Sequence, residues 1–387
     1  MGVLNQNAIT IQTVDHLDQL ASFDWDSLCQ PDHYFTTRNL HALAHAGLDC
    51  SYRYFVAQQE GQIVGITFGY LTHFPLLGPL RPLVFITGSP ANLGFPFAFH
   101  MESQKEEIFS QLVHAMIADA RKQHASILVV RDLYTGLSEI YTATLKYPGI
   151  HHLPLFQRGW LDIRWHTFEE YLADLQTRYR NELLKEMRRI NKYGFRFVIT
   201  SGVEAQPYLA DMARQFRDLF LKYQNPSQLF LPESYFRAFS ALPECIAFLL
   251  FRGEQLASFD LVYERGSLFD VVDSGVDAAL VGNFPAHRYL SYEIIRYAIS
   301  HGFKAVDFGN SNEDKKMRLG CSLQNLSAAM YPLSPIYSTM LKLHFDRWLL
   351  DDFGFKIPPK NADEEANGWV LPTVFKSPPP SPWQTTI

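Results

Sequence analysis

Apolar residues alternate with polar ones over short stretches and recur every three or four residues over longer ones, and the two periods trade places along the chain. Residues 8–13 (AITIQT) predict a first strand. Residues 54–58 and 63–71 predict a hairpin around Glu60-Gly61, with β-branched and aromatic residues flanking a turn signal. Residues 83–87 predict another strand, and 103–123 a helix whose apolar stripe is Ile108, Leu112, Ala115, Met116 and Ile117. Ser103 and Glu106 have capping-box spacing at its start. Residues 126–130 then read as a buried strand.

From Trp160 the order repeats. Residues 195–200 predict a strand and 205–222 a helix with Leu209, Met212, Phe216, Leu219 and Phe220 on one side. Residues 246–251 and 256–264 predict a hairpin around Gly253-Glu254, and 267–273 a third strand. A helix over 286–300 leads into a strand at 305–308. The hairpin glycines Gly61 and Gly253 lie 192 residues apart. The helix-to-strand units 103–130 and 286–308 are offset by about 180, so element order points to an internal duplication. The expected fold class is α/β (mixed α+β), with two central mixed sheets flanked by helices. The expected domains are 1–158 and 159–350. Past a helix at 337–350, residues 351–387 hold Pro358, Pro359, Pro372, Pro378, Pro379, Pro380 and Pro382, which predicts a loose or surface-packed tail.

Composition narrows the function classes. At 387 residues, 47% apolar and 19% charged, the chain is neither disordered nor collagen-like. A net charge of −6 and a pI near 6.2 argue against a duplex-DNA binder. The 30 Phe, 19 Tyr and 6 Trp fit wide cores between sheets and helices better than an apolar ligand pocket. Cys29, Cys50, Cys245 and Cys321 form no C-x-x-C pair, which disfavours a zinc ribbon or a disulfide-stapled fold. The N-terminus lacks a basic start followed by an apolar run, and Gly2 lacks the Ser or Thr that myristoylation prefers. The uncharged stretches 82–99 and 319–341 are broken by Pro and Gly and read as strand and loop. A soluble, cytoplasmic protein without a membrane span is expected.

Three segments could carry chemistry. Residues 178–196 place Arg178, Arg180, Lys185, Arg188, Arg189, Lys192 and Arg196 against Glu182 and Glu186, with Leu183, Leu184, Met187 and Ile190 on one face and Gly194 ending the helix. This is either a cationic wall for a phosphate-bearing substrate or a solvated helix, and charge alone favours the second. Residues 273–295 run from a polar strand end through Gly282, Asn283 and Pro285 into an amphipathic helix. Such a turn exposes N–H groups at a positive helix end, with Arg288 close by. No G-x-G-x-x-G or P-loop specifies a nucleotide. In 305–321, Asp307 sits inside an apolar strand and is followed by Lys315, Lys316 and Arg318. It either accepts a proton or caps the turn after the strand. His41 and His45 lack the acidic residue of a metalloprotease motif, and there is no G-x-S-x-G. Asp270 and Asp273, three apart on one strand, are expected to face opposite sides.

In this order the three segments resemble the Fem-like (FemABX-type) branch of the GNAT-fold N-acyltransferases. Arg180-NELLKEMRRINKYG is similar to that family's basic helix, Phe284-PAHRYLSYEIIRYAISHGFKAVDFG to its helix and D-F-G strand, and Lys316-MRLG to its K-x-x-x-G element. The likeness covers roughly 160–335, with 1–150 fitting as a degenerate first half. Two departures stand out. ALVGNFPAHR lacks the Q/R-x-x-G-x-G/A of simple GNAT enzymes, and Leu319 replaces an aromatic residue common among relatives.

The resemblance implies transfer of an acyl group to a small-molecule or peptide amine, without metal or covalent intermediate. Acyl-CoA is the expected co-substrate. Aminoacyl-tRNA, used by peptidoglycan-bridge members, is the competing donor, disfavoured by the −6 charge and the lack of a long helical-hairpin arm. A non-catalytic binding module is the third reading. An acceptor ammonium of pKa ~10 must lose a proton before attack. Asp307, or a water it orients, is the expected base, with Tyr263 and Tyr289 as acids. N–H groups of strand 267–273 are expected to polarise the carbonyl. Gly282, Asn283, Phe284, Ala286, His287 and Arg288 are expected to seat the donor, and Arg180, Arg188, Asp273, Asn310, Lys316 and Arg318 the substrate.

Overall fold

The computed structural model describes residues 8–29, 33–74, 81–100, 104–134, 149–223, 229–310, 312–340 and 369–376. The first half contributes strands β1 (Thr10–Val14), β2 (Ser51–Gln59), β3 (Gln62–His73), β4 (Leu83–Thr87), β5 (Phe97–Phe99) and β6 (Ile127–Leu133), with helices α1 (Thr37–His45) and α2 (Lys105–Lys122). Strand β7 (His151–Asp162) leads into α3 (Phe168–Asp174), α4 (Thr177–Met187) and α5 (Arg189–Lys192). The second half follows with β8 (Phe195–Ser201), α6 (Leu209–Tyr223), α7 (Glu233–Ser240), β9 (Cys245–Arg252), β10 (Gln255–Arg265) and β11 (Leu268–Val276). It continues through α8 (Ala278–Val281), α9 (Ala286–Ser300), β12 (Ala305–Asp307), α10 (Glu313–Leu319), β13 (Ser322–Pro332) and α11 (Pro335–Met340), and β14 is Trp369–Val370.

Element order repeats as the periodicity implies. In each half a hairpin (β2–β3, β9–β10) is followed by a strand (β4, β11) that pairs parallel with the strand beyond a helix. A parallel neighbour requires such a crossover, which α2 and α9 supply. The turn glycines Gly61 and Gly253 both have positive φ. The sheets of the two halves are joined edge to edge into one, in the order β1-β2-β3-β4-β6-β13-β7-β12-β11-β10-β9-β8, with β5 on β3 and β14 on β13. Strand β7 lies between β12 and β13, and β13 lies between β6 and β7, so each half borrows the closing strand of the other. Position 158/159 falls inside β7. No alternation marks β7 in HHLPLFQRGWLD, and Pro154 stands where its register against β13 shifts, a place a residue without an N–H is tolerated.

One apolar layer spans both halves: Leu40, Tyr54 and Phe68 pack in the same cluster as Phe216, Tyr235, Phe236, Phe239, Phe259 and Tyr263. On the opposite face, α3 and α9 cover β8–β12 in the second half, and α2 covers the first. The basic segment is two helices, broken at Arg188. The expected cap Ser103 and helix residues 341–350 lie outside the described residues, and α2 begins after Gln104 without a side-chain cap. Of the proline-containing tail, residues 369–376 pack inward: β14 pairs with β13, and Phe375 is buried against Trp165 and Tyr171. Gly320 permits this, since a Cβ there would stand 2.1 Å from the Phe375 ring.

Candidate functional site

Register decides which acids meet. Along β10 and β11, Leu261 faces Asp273 and Val262 faces Val271, so Val272 is bulged out. Opposed residues on paired strands share a side, and Leu261 and Tyr263 share one by alternation. Tyr263 pairs with Asp270. The bulge therefore brings Asp270 and Asp273 to the same face, correcting the expectation from their spacing. Asp270 also pairs with Asp307 across the parallel β11–β12 contact. Three carboxyls thus line the face covered by α1 and α7.

The three are not equivalent. Arg158, from β7, holds Asp307 Oδ2 through Nε at 2.7 Å and through a closer Nη2 contact. Arg265 Nη2 lies 3.1 Å from Asp270 Oδ2 and 3.7 Å from Asp307 Oδ2, and Gly309 N–H donates to Asp307 Oδ1 at 2.9 Å. Burial by itself would raise the Asp307 carboxyl, but Arg158, with Arg265 and the Gly309 N–H, holds it below the usual carboxylate range. Asp307 is 1% exposed and ionised with both oxygens engaged, so it is a poor proton acceptor. There it anchors a buried ion-pair network. Asp270 is pushed up by burial, against the pull of Arg265 and with the Asp307 charge adding to the rise.

Asp273 differs from both. It accepts a hydrogen bond from the Tyr235 hydroxyl at Oδ2 (2.8 Å), and its Oδ1 has no donor among the described residues. Burial raises its carboxyl to about 7 against that bond, with Asp270 adding to the rise. The Tyr34 hydroxyl, from the first half, is buried among these groups with no hydrogen-bond partner among the described residues. The Tyr263 hydroxyl has none either among the described residues, and the weakly bonding Cys245 thiol lies beside it. A buried hydroxyl without a partner costs ~1–3 kcal/mol, which a polar group brought beside these hydroxyls would relieve. Burial raises Tyr263 well above its ordinary value, and Tyr289 is raised likewise where it packs on Phe197 and Phe284.

Past Asp270 and Asp307 the parallel pairing ends, while β11 runs on to Val276. At Gly309, just beyond β12, a Cβ would meet only the Val271 carbonyl, at 3.7 Å. Lys316 ties down the returning loop: its Nζ donates to the carbonyls of Gly309 and Asn310, both at 2.6 Å, and burial pulls it down to about 8. It reaches them over Gly159, where a Cβ would lie 2.5 Å from Lys316 Cδ.

The other expected residues divide. Phe284 and Ala286 are core residues, with Phe284 on Phe195, Tyr193 and Tyr289. Gly282 and Asn283 are exposed. Arg288 is held by Glu182 (3.2 Å) and Glu186 on α4, and Arg318 lies 3.9 Å from the same Glu182. Arg180 is half-buried and Arg188 exposed on the basic helices. Asp277 closes part of the turn itself, accepting from the N–H groups of Ala279 and Leu280. Pro285, at the N-cap of α9, has no N–H and makes no side-chain cap, which leaves the first-turn N–H groups of His287 and Arg288 open. His287 faces Asp260, with Nδ1 at 4.0 Å from Oδ1. Sequence reasoning missed Arg158, Arg265, Tyr34, Tyr235 and Asp260. Only Asp260, a carboxyl in the apolar run of β10, carried the signal that exposed Asp307. Among the described residues no group of three or more His, Cys, Asp and Glu could hold a metal, and no helix is long and apolar enough to cross a membrane.

Two halves joined in one sheet, each with a parallel strand pair reached through a crossover helix, define a tandem GNAT-like fold. The same architecture occurs in FemX (14% identity, TM-score 0.54, covering 87% of this chain and 100% of that one). It also occurs in the C-terminal domain of a putative lysylphosphatidylglycerol synthetase from Agrobacterium fabrum (13%, TM-score 0.52, 86% and 96%). A tandem GNAT protein of clavulanic acid biosynthesis matches similarly (13%, TM-score 0.52, 85% and 99%). No curated protein sequence matches the chain. The FemAB-like family model, described as peptidoglycan biosynthesis/recognition, matches residues 83–347. The chain belongs to the FemAB-like family.

Proposed function

We propose that this transferase moves an acyl group from acyl-CoA to an amine by direct attack, with Asp273 rather than Asp307 taking the proton. The observation that carries this reading is the buried Asp273 site, set where β11 loses its parallel neighbour. Its free carboxylate oxygen and unpartnered tyrosine hydroxyls suit a cationic amine. At pH 7 only ~0.1% of an amine of pKa ~10 is neutral. A base near 7 is matched to that task, whereas a carboxylate clamped by two guanidiniums is not. N–H groups on the unpaired edge of β11 would stabilise the oxyanion. The uncapped start of α9, with Lys315 nearby, would receive the phosphates.

The test incubates the protein with acyl-CoAs of increasing chain length and an amine, reading free thiol. Turnover is expected, falling at least 100-fold in Asp273→Asn with CoA affinity kept. Neither thermal shift nor turnover at any chain length would refute the donor. A second reading, transfer from aminoacyl-tRNA, is favoured by the exposed Arg178, Lys185, Arg188, Lys192 and Arg196, and by the Asp277 carboxylate occupying loop N–H groups. Steeply salt-dependent tRNA binding without CoA turnover would select it. Asp307 tied up internally is what a non-catalytic module would show. An Asp273→Asn variant whose thiol release matches wild type would favour that module.

A further inference from the structure

We infer that the opposite face of the same opening carries a second proton-transfer pair, Asp260 with His287, which protonates the leaving atom of the donor. The inference rests on the transfer reading above but on different residues. Successive strand residues face opposite sides. Asp273 faces α1 and α7, so Ser274 faces α9, and Asp260 on β10 lies directly across from Ser274. At this level β12 has already ended. The free edge of β11 therefore carries Asp273 on one face and Ser274 on the other, with Asp260 one strand further in beside Ser274. A donor carbonyl presented there would have its attacking nitrogen on the first side and its departing atom towards the second.

Nothing in the packing requires an acid at 260. Its carboxyl is 3% exposed, and among the described residues no donor lies within hydrogen-bonding distance. Burying a polar group without a partner costs kilocalories that an apolar residue would not. Burial alone holds the carboxyl in its acid form, well above the ordinary range. The nearest titratable group is His287, whose ring is 40% exposed and so links Asp260 to solvent. Burial and the Lys315 charge keep that imidazole below its ordinary value, hence neutral and able to pass a proton rather than hold one.

The step balances. The bound ammonium first loses a proton to Asp273, which passes it to solvent; the neutral nitrogen then bonds to the thioester carbon, and its second proton goes to Asp273. The carbon–sulfur bond breaks with its electron pair on sulfur, which takes the proton of Asp260 to leave as a thiol. His287 then relays a proton from water to the Asp260 carboxylate, and Asp273 returns its own to solvent.

The experiment compares wild type, Asp260→Asn and the half-exposed His287→Gln on acyl-CoA and on the same acyl group carried by an aryl thiol, whose thiolate leaves without a proton. Asp260→Asn is expected to lose at least tenfold in kcat on acyl-CoA and less than twofold on the aryl thioester, with CoA affinity unchanged. His287→Gln should show the same donor dependence, relieved by imidazole buffer. Independently of turnover, infrared difference spectra at pH 8 should show a protonated-carboxyl band in wild type that Asp260→Asn lacks. Equal losses on both donors, no loss on either, or no such band would overturn the assignment. Wild type silent with every donor would instead overturn the transfer reading, and this inference with it.

Discussion

Replacing Asp273 with Asn should make the protein more stable above pH 7 and no more stable near pH 4. The folded state holds the Asp273 carboxyl at about 7 through burial, whereas in the unfolded chain it titrates near ~3.9. Between those values the folded protein binds the extra proton, so stability falls as pH rises, and the loss is complete once pH passes about 7. At ~1.4 kcal/mol per pH unit, the full penalty is at most ~4 kcal/mol. Asn cannot ionise, escapes that penalty, and can still accept from Tyr235. A gain of roughly 2–4 kcal/mol is expected at pH 8, shrinking to nothing near pH 4. Urea unfolding of both proteins at pH 4, 6 and 8 measures it. A pH-independent difference, or a variant less stable at pH 8, would show that burial does not strain this carboxylate. A residue whose removal stabilises the fold while abolishing turnover is kept for function.

Three further outcomes follow from the packing. Arg158→Met leaves Asp307 buried without its main partner and should cost ~3–5 kcal/mol in urea unfolding; a loss under 1 kcal/mol would mean the pair is dispensable. Gly320→Ala forces a Cβ against Phe375 at a φ of +93°, and should cost ~2 kcal/mol or more while changing the emission of Trp165, 5.3 Å from that ring. An unchanged spectrum would show that residues 369–376 do not dock as described. Cys245, pushed up to about 12, and Cys321, raised further, are both buried and should resist a disulfide reagent at pH 8 in the native state. Rapid labelling of Cys321 would contradict its burial.

Much of this protein was legible from local pattern. The hairpins turning at Gly61 and Gly253, the helices at 105–122 and 286–300 and the repeated element order are written in short-range periodicity, because a strand or helix face must be apolar at its own spacing. The FemAB-like likeness followed from motif order. Asp307 drew attention for a sound reason, a carboxylate in an apolar strand, yet its role depends on Arg158, 149 residues away, and on Arg265.

Tertiary structure alone decided three things. It exchanged β7 and β13 between the halves, which no run of residues announces because pairing partners are chosen by the whole sheet. It bulged β11 at Val272, turning Asp270 and Asp273 to one side, since one extra residue reverses the facing of everything beyond it. And it set three identical carboxyls in different fields, one clamped by guanidiniums, one beside that clamp, one facing unpartnered hydroxyls. Sequence places a charge on a strand; only the completed packing fixes the partners and water around it, and these set where its proton resides.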